Sequence, residues 1–597
     1  MPSLDTHDTP SKAYVALSAL LCVGLLAVGV GAATASFVPY RFFLARAQGL
    51  KEGGQLSLFT HEFYQAMQLR LRWIAAVNVA AGFLVFLFRK PVRDFITLVF
   101  SDCRSFSRDI KLAIKSSPAV DDLTLACLLI IAFLLRFSVL FQPMREDEAY
   151  SFLQYSSRPF YSALSLYNAP SNHLLHTLLV RVAYLLFGDH PWALRLPVLV
   201  AGLCLVPGVY FAARSLYRNS GALLAAALVA SSSILIEYST NARGYIILVS
   251  LFMSLIPVAA YLSRKQNWAA WVTFAILGAL GAYTIPIMLY PFGGICLWLL
   301  LSAKFEAEGR SAGNLVKELF VTCGLAGFLV FELYSPVLAV SGPAALFANK
   351  WVRAKPVQVF LTGLPPSLGS TWSQWNRDLP LWLKGLLLGG FVVSLLWTRR
   401  QSLFRVPLPL ALALWVVPLV FIQRVDPFER VWLFALPLYL MAASGGVAAV
   451  LEPWFEKLKV RPAMAILAIA VAIFAGLEVR QDQSIYATND GRGLEALAYY
   501  LKGRLGPGDS VIAGFSSDPQ LQYYFREAGL RPSYVNGPHR TRMLVVVNGV
   551  VGETVAQVLS MAQLSDYQNR PARLLIRFDT ASLYELAPAG GASKPTP

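Results

Sequence analysis

The sequence predicts a mostly α-helical, polytopic integral membrane protein with a small α/β domain at its C-terminal end. Of the 597 residues, 56% are hydrophobic and only 14% are charged, and the mean hydropathy is +0.54. That composition is typical of a chain that spans a membrane many times. After about residue 480 the long apolar runs stop, and short segments with the periodicity of helices and strands replace them.

Thirteen apolar runs are long enough to be predicted as transmembrane helices. They lie at about residues 14–37, 73–88, 122–141, 194–213, 221–237, 244–262, 268–283, 285–303, 318–338, 380–397, 406–423, 431–450 and 463–479. A further run, from His173 to Gly188, is short and carries Arg181 in its middle, so its hydrophobicity alone does not show whether it crosses.

The distribution of Lys and Arg settles the orientation, because these residues collect in cytoplasmic loops. The basic segment before residue 122 is predicted to be cytoplasmic, so the run 122–141 leads outward. If 173–188 does not cross, the basic residues of five later loops also fall inside, whereas a crossing would put them all outside. We therefore predict that 173–188 is an amphipathic helix at the outer interface. The N-terminus is then predicted to be cytoplasmic, and the active site and the C-terminal domain extracytoplasmic. The expected location is a bacterial inner membrane.

The net charge of +17 is explained by this asymmetry, and no basic-aromatic motif for nucleic acid is present. Membrane lipids are therefore expected partners, and nucleic acid is not. Four parts are predicted: an additional transmembrane pair with a basic segment (1–121), a transmembrane core (122–480), an α/β domain (481–587) and a disordered tail (588–597).

Within the α/β domain, three helices and three strands are predicted from periodicity. The helices are "GLEALAYYLKGRL", "PQLQYYFREAG" and "ETVAQVLSMAQL", and the strands are "DSVIAGF", "TRMLVVVNG" and "ARLLIRF".

The polar residues that draw attention all fall on the predicted outer face. Three consecutive acids, Glu146, Asp147 and Glu148, follow the run 122–141 in "MREDEAYS". Asn172 and His173 lie in "NAPSNHLLH", Arg243 and Tyr245 in "STNARGYIIL", and Arg430 and Trp432 in "RVDPFERVWLFALP". The remaining candidates are Tyr283 and Tyr334 at later turns, and the cations Lys350 and Arg353 in a long loop.

The order and sidedness of these motifs resemble the GT-C glycosyltransferases, especially protein O-mannosyltransferases and bacterial aminoarabinose transferases. The resemblance covers roughly residues 122–530. Its motifs here are Asp147-Glu148, "SNHLLH" (without the prolines of the family), "LLFGDHPWALRLPVL" with Arg195, Ala242-Arg243-Gly244-Tyr245, Tyr283-Thr284-Ile285 (without a His), Tyr334-Ser335-Pro336 and Glu429-Arg430-Val431-Trp432.

The resemblance implies a GT-C fold and the transfer of a sugar from a polyprenyl-phosphate donor to an acceptor hydroxyl outside the membrane. The acceptor is a glycan, a lipid or a protein. Asp147 corresponds to the candidate general base of an inverting displacement, with Glu148 as its partner. A hydroxyl needs such a base, and burial at the bilayer edge raises a carboxyl pKa towards that task.

The leaving lipid phosphate needs cations, and the planar guanidinium of Arg suits it best. Arg243 and Arg430 are therefore the first candidates for the phosphate, and Lys350 and Arg353 of the long loop are further ones. Asn172, His173, Tyr245, Tyr283, Tyr334 and Trp432 are candidates for binding the sugar or the lipid.

Each candidate also has a plainer interpretation. Glu146 is interpreted as a solvated acid at a helix start, His173 as a helix cap and Arg195 as an interfacial anchor. A divalent cation held by Asp147, Glu148 and His173 is conceivable, but a metal-independent reaction is favoured because the second acid of metal-using relatives is not evident; no cofactor is firmly predicted.

Two other functions remain open at the sequence level. A transporter or flippase of lipid-linked sugars should show internal repeats and polar groups near the membrane midplane, whereas here the ionisable residues gather at the outer edge. A glycan polymerase or ligase with a diphosphate-linked donor would share the outer site, and the sequence separates it poorly from the favoured enzyme.

Overall fold

The structure, a computed structural model, describes most of the chain. The described residues are 12–47, 60–218, 220–305, 312–348, 353–425, 428–457, 462–481, 491–515, 517–538, 541–550 and 552–587. They form a large helical region followed by a four-stranded sheet with three helices, as the sequence predicts.

Helices make up nearly all of the chain before residue 482. In the first half they are α1 (Lys12–Ala35), α2 (Tyr40–Ala47), α3 (His61–Leu87), α4 (Arg89–Lys115), α5 (Ala119–Leu140), α6 (Glu146–Ser151), α7 (Phe160–Ala163), α8 (Leu174–Phe187), α9 (Pro191–Leu216), α10 (Gly221–Ser231), α11 (Ser233–Ser239) and α12 (Tyr245–Leu262). In the second half they are α13 (Trp268–Thr284), α14 (Leu289–Phe305), α15 (Ala312–Val340), α16 (Pro343–Phe347), α17 (Val357–Trp375), α18 (Leu381–Leu396), α19 (Thr398–Gln401), α20 (Leu408–Gln423), α21 (Ala435–Lys457) and α22 (Ala463–Gln481).

Nine helices in the described part of the chain are long and apolar enough to cross a membrane: α1, α3, α5, α9, α12, α14, α15, α21 and α22. The pair α10 and α11 would make a tenth span, bent by 60°. All thirteen predicted runs are helical, but α13, α18 and α20 have only 16 or 17 residues, so the count of thirteen spans is not confirmed. Helix α8, with 14 residues, is about 21 Å long and shorter than a bilayer core.

The core of the helical region lies around α10, in which every residue is buried. Its sequence, "GALLAAALVAS", is rich in alanine, and small side chains allow neighbouring helices to approach closely. Helices α5, α9, α21 and α22 pack around it.

The bend between α10 and α11 is stabilised by a buried arginine of α5. Arg136 is fully buried, and its Nη1 donates to the carbonyl oxygens of Ala230 (2.9 Å) and Ala132 (3.2 Å). A carbonyl at the end of a helix lacks its intrahelical partner, and a cation there offsets the negative end of the helix dipole. Arg136 therefore supports the broken helix that leads to Arg243 in the next turn.

The C-terminal region contains β1 (Asp509–Ala513), β2 (Arg542–Asn548), β3 (Ala572–Phe578) and β4 (Ala581–Leu586) in the order β1-β2-β4-β3. Strands β1 and β2 are parallel, and the other two pairs are antiparallel. Its helices are α23 (Arg492–Leu501), α24 (Asp518–Glu527) and α25 (Val555–Met561). The three predicted strands and helices are thus confirmed, and β4 is an additional strand.

Helix α24 packs directly against the turn that precedes α6. The backbone N–H of Met144 donates to the hydroxyl of Tyr524 (2.7 Å), and Gln520 Nε2 donates to the Met144 carbonyl (2.8 Å). Tyr523 donates to the Asp189 carbonyl, and Arg526 forms an ion pair with the Asp189 side chain at 3.3 Å. The α/β region is therefore attached to the helical region beside the three acids.

Candidate active site

Helix α6 carries Glu146, Asp147 and Glu148 in its first turn, immediately after α5 and a short connection. Carboxylates at this position interact favourably with the positive end of the helix dipole. A π-helical segment, Phe152–Ser156, continues the helix. The fold nevertheless gives the three acids different environments, because successive residues of a helix point in different directions.

Glu148 forms a buried ion pair with Arg195 of α9. Neither side chain is exposed, and Arg195 donates from Nε to Oε1 (2.8 Å) and from Nη2 to Oε2 (2.6 Å). Arg195 also donates to the carbonyls of Leu140, Gln142 and Pro143 at 2.7–2.9 Å. Arg195 thus fixes the connection between α5 and α6, as its plainer interpretation as an anchor expects.

The carboxylate of Glu148 also accepts two backbone hydrogen bonds, from Ala242 (2.6 Å) and Arg145 (3.0 Å). Burial alone would raise the pKa of Glu148, but the adjacent charge and hydrogen bonds of Arg195 more than offset this, so its pKa lies below the ordinary value. An ionised carboxylate that already accepts four hydrogen bonds has little capacity left to bind substrate. Its geometry is that of a residue that positions the 240–244 turn.

Asp147 is oriented the other way, into an accessible space between two arginines. Its Oδ1 lies 3.4 Å from Arg243 Nη1, and its Oδ2 lies 3.5 Å from Arg430 Nη1. The Asp147 side chain is 45% exposed. The structure therefore brings together three residues that lie nearly 300 positions apart in the sequence.

The two arginines differ in burial. The Arg243 side chain is 4% exposed and its Nη1 also donates to Ser151 Oγ at 3.2 Å, whereas the Arg430 side chain is 35% exposed. Arg243 Nε is buried and has no hydrogen-bond partner within the described residues. Arg430 is the second residue of the 3-10 segment Glu429–Phe434 and is the more accessible cation for a ligand.

His173 lies against the same turn as Arg243. Its Nδ1 accepts from the Gly244 backbone N–H at 2.8 Å, and its ring meets Tyr245 edge-on at 4.9 Å. A Cβ on Gly244 would lie 2.9 Å from His173 Cβ, so only glycine permits this approach. Burial and the charge of Arg243 hold the pKa of His173 well below its usual value. The ring is therefore neutral, and its buried Nε2 has no partner within the described residues.

Asn172 is used inside its own loop. Its Nδ2 donates to the carbonyls of Ala163 (3.0 Å) and Leu166 (2.6 Å), and its Oδ1 accepts from Thr177 at 2.7 Å. This buried side chain shapes the approach to α8, and its contacts do not extend towards Asp147.

The predicted aromatic residues fall into two groups. Tyr283 and Tyr334 are buried, pack edge-on at 5.6 Å and belong to an apolar cluster with Tyr167 and Leu174, so they stabilise the helices beneath His173. Trp432 is half-buried and lies next to Arg430 in the 3-10 segment, stacked on Tyr290 at 6.3 Å.

Of the two basic loop candidates, only Arg353 lies in the described part of the chain. Lys350 lies outside the described residues. Arg353 is exposed, and no ion pair within the described part of the chain links it to Asp147.

Sequence reasoning missed a pair of carboxyl groups, Glu146 and Asp518. Burial raises the pKa of Glu146 to about 7, and repulsion from Asp147 and Asp518 adds to this effect. Burial likewise raises the pKa of Asp518, at the start of α24, to about 7. Glu146 is half-buried and α24 packs against α6, so this acid is less solvated than the interpretation as a solvated helix start expects. No sequence signal links two residues so far apart.

The acids and histidine proposed to hold a divalent cation do not converge. Glu148 is bound to Arg195, Asp147 lies between two arginines, and His173 Nδ1 is occupied by Gly244. Within the described residues, no group of three His, Cys, Asp or Glu side chains could hold a metal ion. These residues do not fit the cation site that the sequence allows.

Comparison with protein families gives one match. Residues 170–334 match the model of the dolichyl-phosphate-mannose-protein mannosyltransferase family. This segment includes His173, Arg195, Arg243 and Tyr245. The match confirms the predicted resemblance to mannosyltransferases over this part of the chain. No curated protein sequence matches the chain.

Several solved structures have a similar fold, including the following three. ArnT from Cupriavidus metallidurans bound to undecaprenyl phosphate is 13% identical, with 78% of this chain and 97% of that chain covered and a TM-score of 0.48. The apo form of the same protein is 14% identical, with the same coverage and a TM-score of 0.46. The oligosaccharyltransferase from Archaeoglobus fulgidus, tethered with an acceptor peptide, is 13% identical, with 78% and 74% covered and a TM-score of 0.42.

Proposed function

We propose that this protein is an inverting glycosyltransferase that moves a sugar from a polyprenyl-phosphate donor to an acceptor hydroxyl outside the membrane. The observation that carries the proposal is the position of Asp147, accessible and held between Arg243 and Arg430. A general base and cations for a phosphate are the two requirements of this reaction, and they lie side by side.

Asp147 acts as the general base. As the acceptor oxygen attacks the anomeric carbon, Asp147 takes the hydroxyl proton, and the bond from that carbon to the phosphate oxygen breaks. Attack from the side opposite the leaving group inverts the anomeric configuration. A carboxylate suited to this task must be reachable by the acceptor, and Asp147 is more accessible than the fully buried Glu148.

Arg430 receives the departing phosphate, and Arg243 holds Asp147 in place. Both contacts with Asp147 are longer than a strong charged hydrogen bond of about 2.8 Å, so a dianionic phosphate can compete for Arg430. The greater exposure of Arg430 supports this division of roles. His173, which binds the turn of Arg243, and Trp432, two residues after Arg430, are the candidates for contact with the sugar.

The transmembrane core, residues 122–480, carries this chemistry in the proposal, and the α/β domain, residues 481–587, covers the acceptor side. The contacts of α24 with Met144 support that arrangement. The acceptor is a glycan, a lipid or a protein. The bend between α10 and α11 is a feature that transporters share, but here Arg136 occupies the carbonyls that the bend exposes.

The test measures transfer by purified protein in nanodiscs, with a synthetic radiolabelled polyprenyl-phosphate sugar and a bacterial envelope extract as the source of acceptors. Asp147→Asn should slow transfer by about 100-fold or more, because a positioned base contributes on that order. Binding of polyprenyl phosphate should be retained or become tighter, since the variant removes a negative charge beside two arginines.

Asp566→Asn, at an exposed position of the α/β region, is the matched control and should transfer normally. Undiminished transfer by Asp147→Asn would disprove the role of Asp147 as the base. Arg430→Gln should lose polyprenyl-phosphate binding together with transfer, whereas Arg243→Gln should lose transfer and keep most of the binding. Unchanged binding in Arg430→Gln would reject the phosphate site.

A further inference from the structure

Helix α4 has both of its ends at one surface of the membrane. The span α3 ends at Leu87, two residues before α4 begins, and the span α5 begins at Ala119, four residues after α4 ends. With 27 residues, α4 is about 40 Å long. A helix of that length, tied to two spans by such short connections, must run along the membrane surface.

One face of α4 attaches it to the turn between α12 and α13. Asp102 Oδ2 accepts from the Trp268 backbone N–H, and Asp109 Oδ2 accepts from Lys265 Nζ, both at 2.7 Å. The rings of Phe95 and Trp268 meet at 5.1 Å. These residues recur at spacings of seven, so they lie on one side of the helix.

A second face of α4 is apolar; its N-terminal part is half-buried, and its part from Cys103 onward is exposed. It consists of residues spaced by four and seven: Val92, Ile96, Cys103, Ile110 and Ile114. Ile110 is 44% exposed and Ile114 is 49% exposed. Contact with acyl chains would remove this surface from water, which is favourable in proportion to its area.

The third face is cationic, with the residues Lys90, Arg93, Arg104, Arg108, Lys111 and Lys115. Arg93 pairs with Asp94 at 3.4 Å, and Arg108 lies 3.9 Å from Asp109, which already binds Lys265. The other four cations form no ion pair within the described residues, and all four are exposed. Their charge is therefore available to an anionic partner.

We propose that α4 is an anionic-lipid-binding helix, with its apolar face in the membrane interface and its cationic face on phospholipid head groups. Acyl chains contact the apolar face, and lipid phosphates bind the cationic face. The short connections to α3 and α5 hold both faces at the required depth. A nucleic acid or an acidic protein would leave the apolar face in water. The proposal is independent of sugar transfer, because Asp147 lies beyond the opposite end of α5.

The test compares phosphatidylglycerol with phosphatidylcholine binding to the full chain in neutral detergent, counted by native mass spectrometry. The variant replaces Lys90, Arg104, Lys111 and Lys115 by Gln. The matched control replaces four exposed cations of the α/β region, Lys502, Arg531, Arg573 and Arg577, by Gln.

The wild-type protein and the control should prefer phosphatidylglycerol, by on the order of fivefold per basic residue at the surface, and salt should weaken the preference. The α4 variant should lose most of it. An unchanged preference in the α4 variant would overturn the proposal, as would a loss of RNA or acidic-protein binding without any change in lipid binding.

A depth measurement tests the second face separately from lipid binding. A spin label at Cys103, with the other five cysteines replaced, should be accessible to oxygen and shielded from a water-soluble nickel reagent in bilayers. A label at Lys111→Cys should show the reverse. A Cys103 label that is fully accessible to the nickel reagent would exclude the interfacial position.

Discussion

Among individual residues, Glu148 has a structural role although it lies in a motif that resembles a catalytic one, because it is paired with Arg195. Both side chains are fully buried, and together they join α5, α6, α9 and the turn that carries Arg243. Desolvating two charges costs several kcal/mol, which only close mutual contacts and further hydrogen bonds offset. Removal of one partner therefore exposes the whole cost of burying the other.

We expect Glu148→Gln to lower the free energy of unfolding by about 3–5 kcal/mol, because Arg195 would remain charged without its counterion. Thermal unfolding in detergent measures the loss. The double variant Glu148→Gln/Arg195→Met should regain part of it, and Glu62→Gln, at an exposed position, should change stability by no more than about 0.5 kcal/mol. A normally stable Glu148→Gln protein that has lost transfer would instead assign Glu148 a direct part in the chemistry.

At the scale of elements, the contact between α6 and α24 brings together the acidic starts of two helices and buries carboxyl groups whose pKa is raised. Glu146 begins α6, Asp518 begins α24, and the pKa of each is raised to about 7. The contact depends on Tyr524 and Gln520, which bind the backbone of Met144. The packing of α24 beside α6 thus adds the charge of Asp518 to the causes that raise the pKa of Glu146.

This pair makes stability depend on pH. Because the folded-state pKa values of about 7 lie above the ordinary values near 4, the folded protein binds these protons more tightly than the unfolded chain. The stabilisation is fully present below about pH 4 and is lost as the pH rises through 7. We expect the unfolding temperature to fall between pH 5 and pH 8.

The variants Glu146→Gln and Asp518→Asn should each reduce that fall in unfolding temperature, whereas Asp566→Asn should leave it unchanged. Differential scanning fluorimetry in a nonionic detergent measures all four proteins. An identical pH profile in Asp518→Asn and the wild-type protein would show that the two helix starts do not interact.

For the whole molecule, the arrangement separates two charged regions by the length of α5. One end of α5 leads to the cations of α4, and the other leads to Asp147 and the α/β region. Cations remain on the cytoplasmic side during insertion, so we expect the site and the α/β region to be extracytoplasmic.

Reporter fusions test this orientation. Alkaline phosphatase, which is active only outside the cytoplasm, should be active when fused after Pro597 and inactive when fused to a chain truncated after Ser117. A cytoplasm-active fluorescent protein at the same two positions should give the opposite pattern. An inactive phosphatase at Pro597 would place the site on the cytoplasmic side.

Much of this architecture could be predicted because it depends on local composition and period. The apolar runs, the short α8 and the strands β1, β2 and β3 are each visible in consecutive residues. Strand β4 was missed because it follows β3 after only two residues, and the helical form of α4 was missed because its many cations were interpreted only as a topology signal. The bend at Ser232 depends on Arg136 from another helix, which local sequence does not reveal.

The sequence by itself determined that the chain spans a membrane and that Asp147, Arg243 and Arg430 are candidates for one site, and it predicts which surface gathers these residues. Hydrophobicity, charge asymmetry and motif order are properties of the linear chain, so they are readable without a fold. Only the tertiary structure decided that Asp147 is accessible, that Glu148 is neutralised by Arg195 and that Asp518 approaches Glu146. Burial and charge pairing depend on residues brought together from distant segments, and those contacts, not residue type, set the role of each acid.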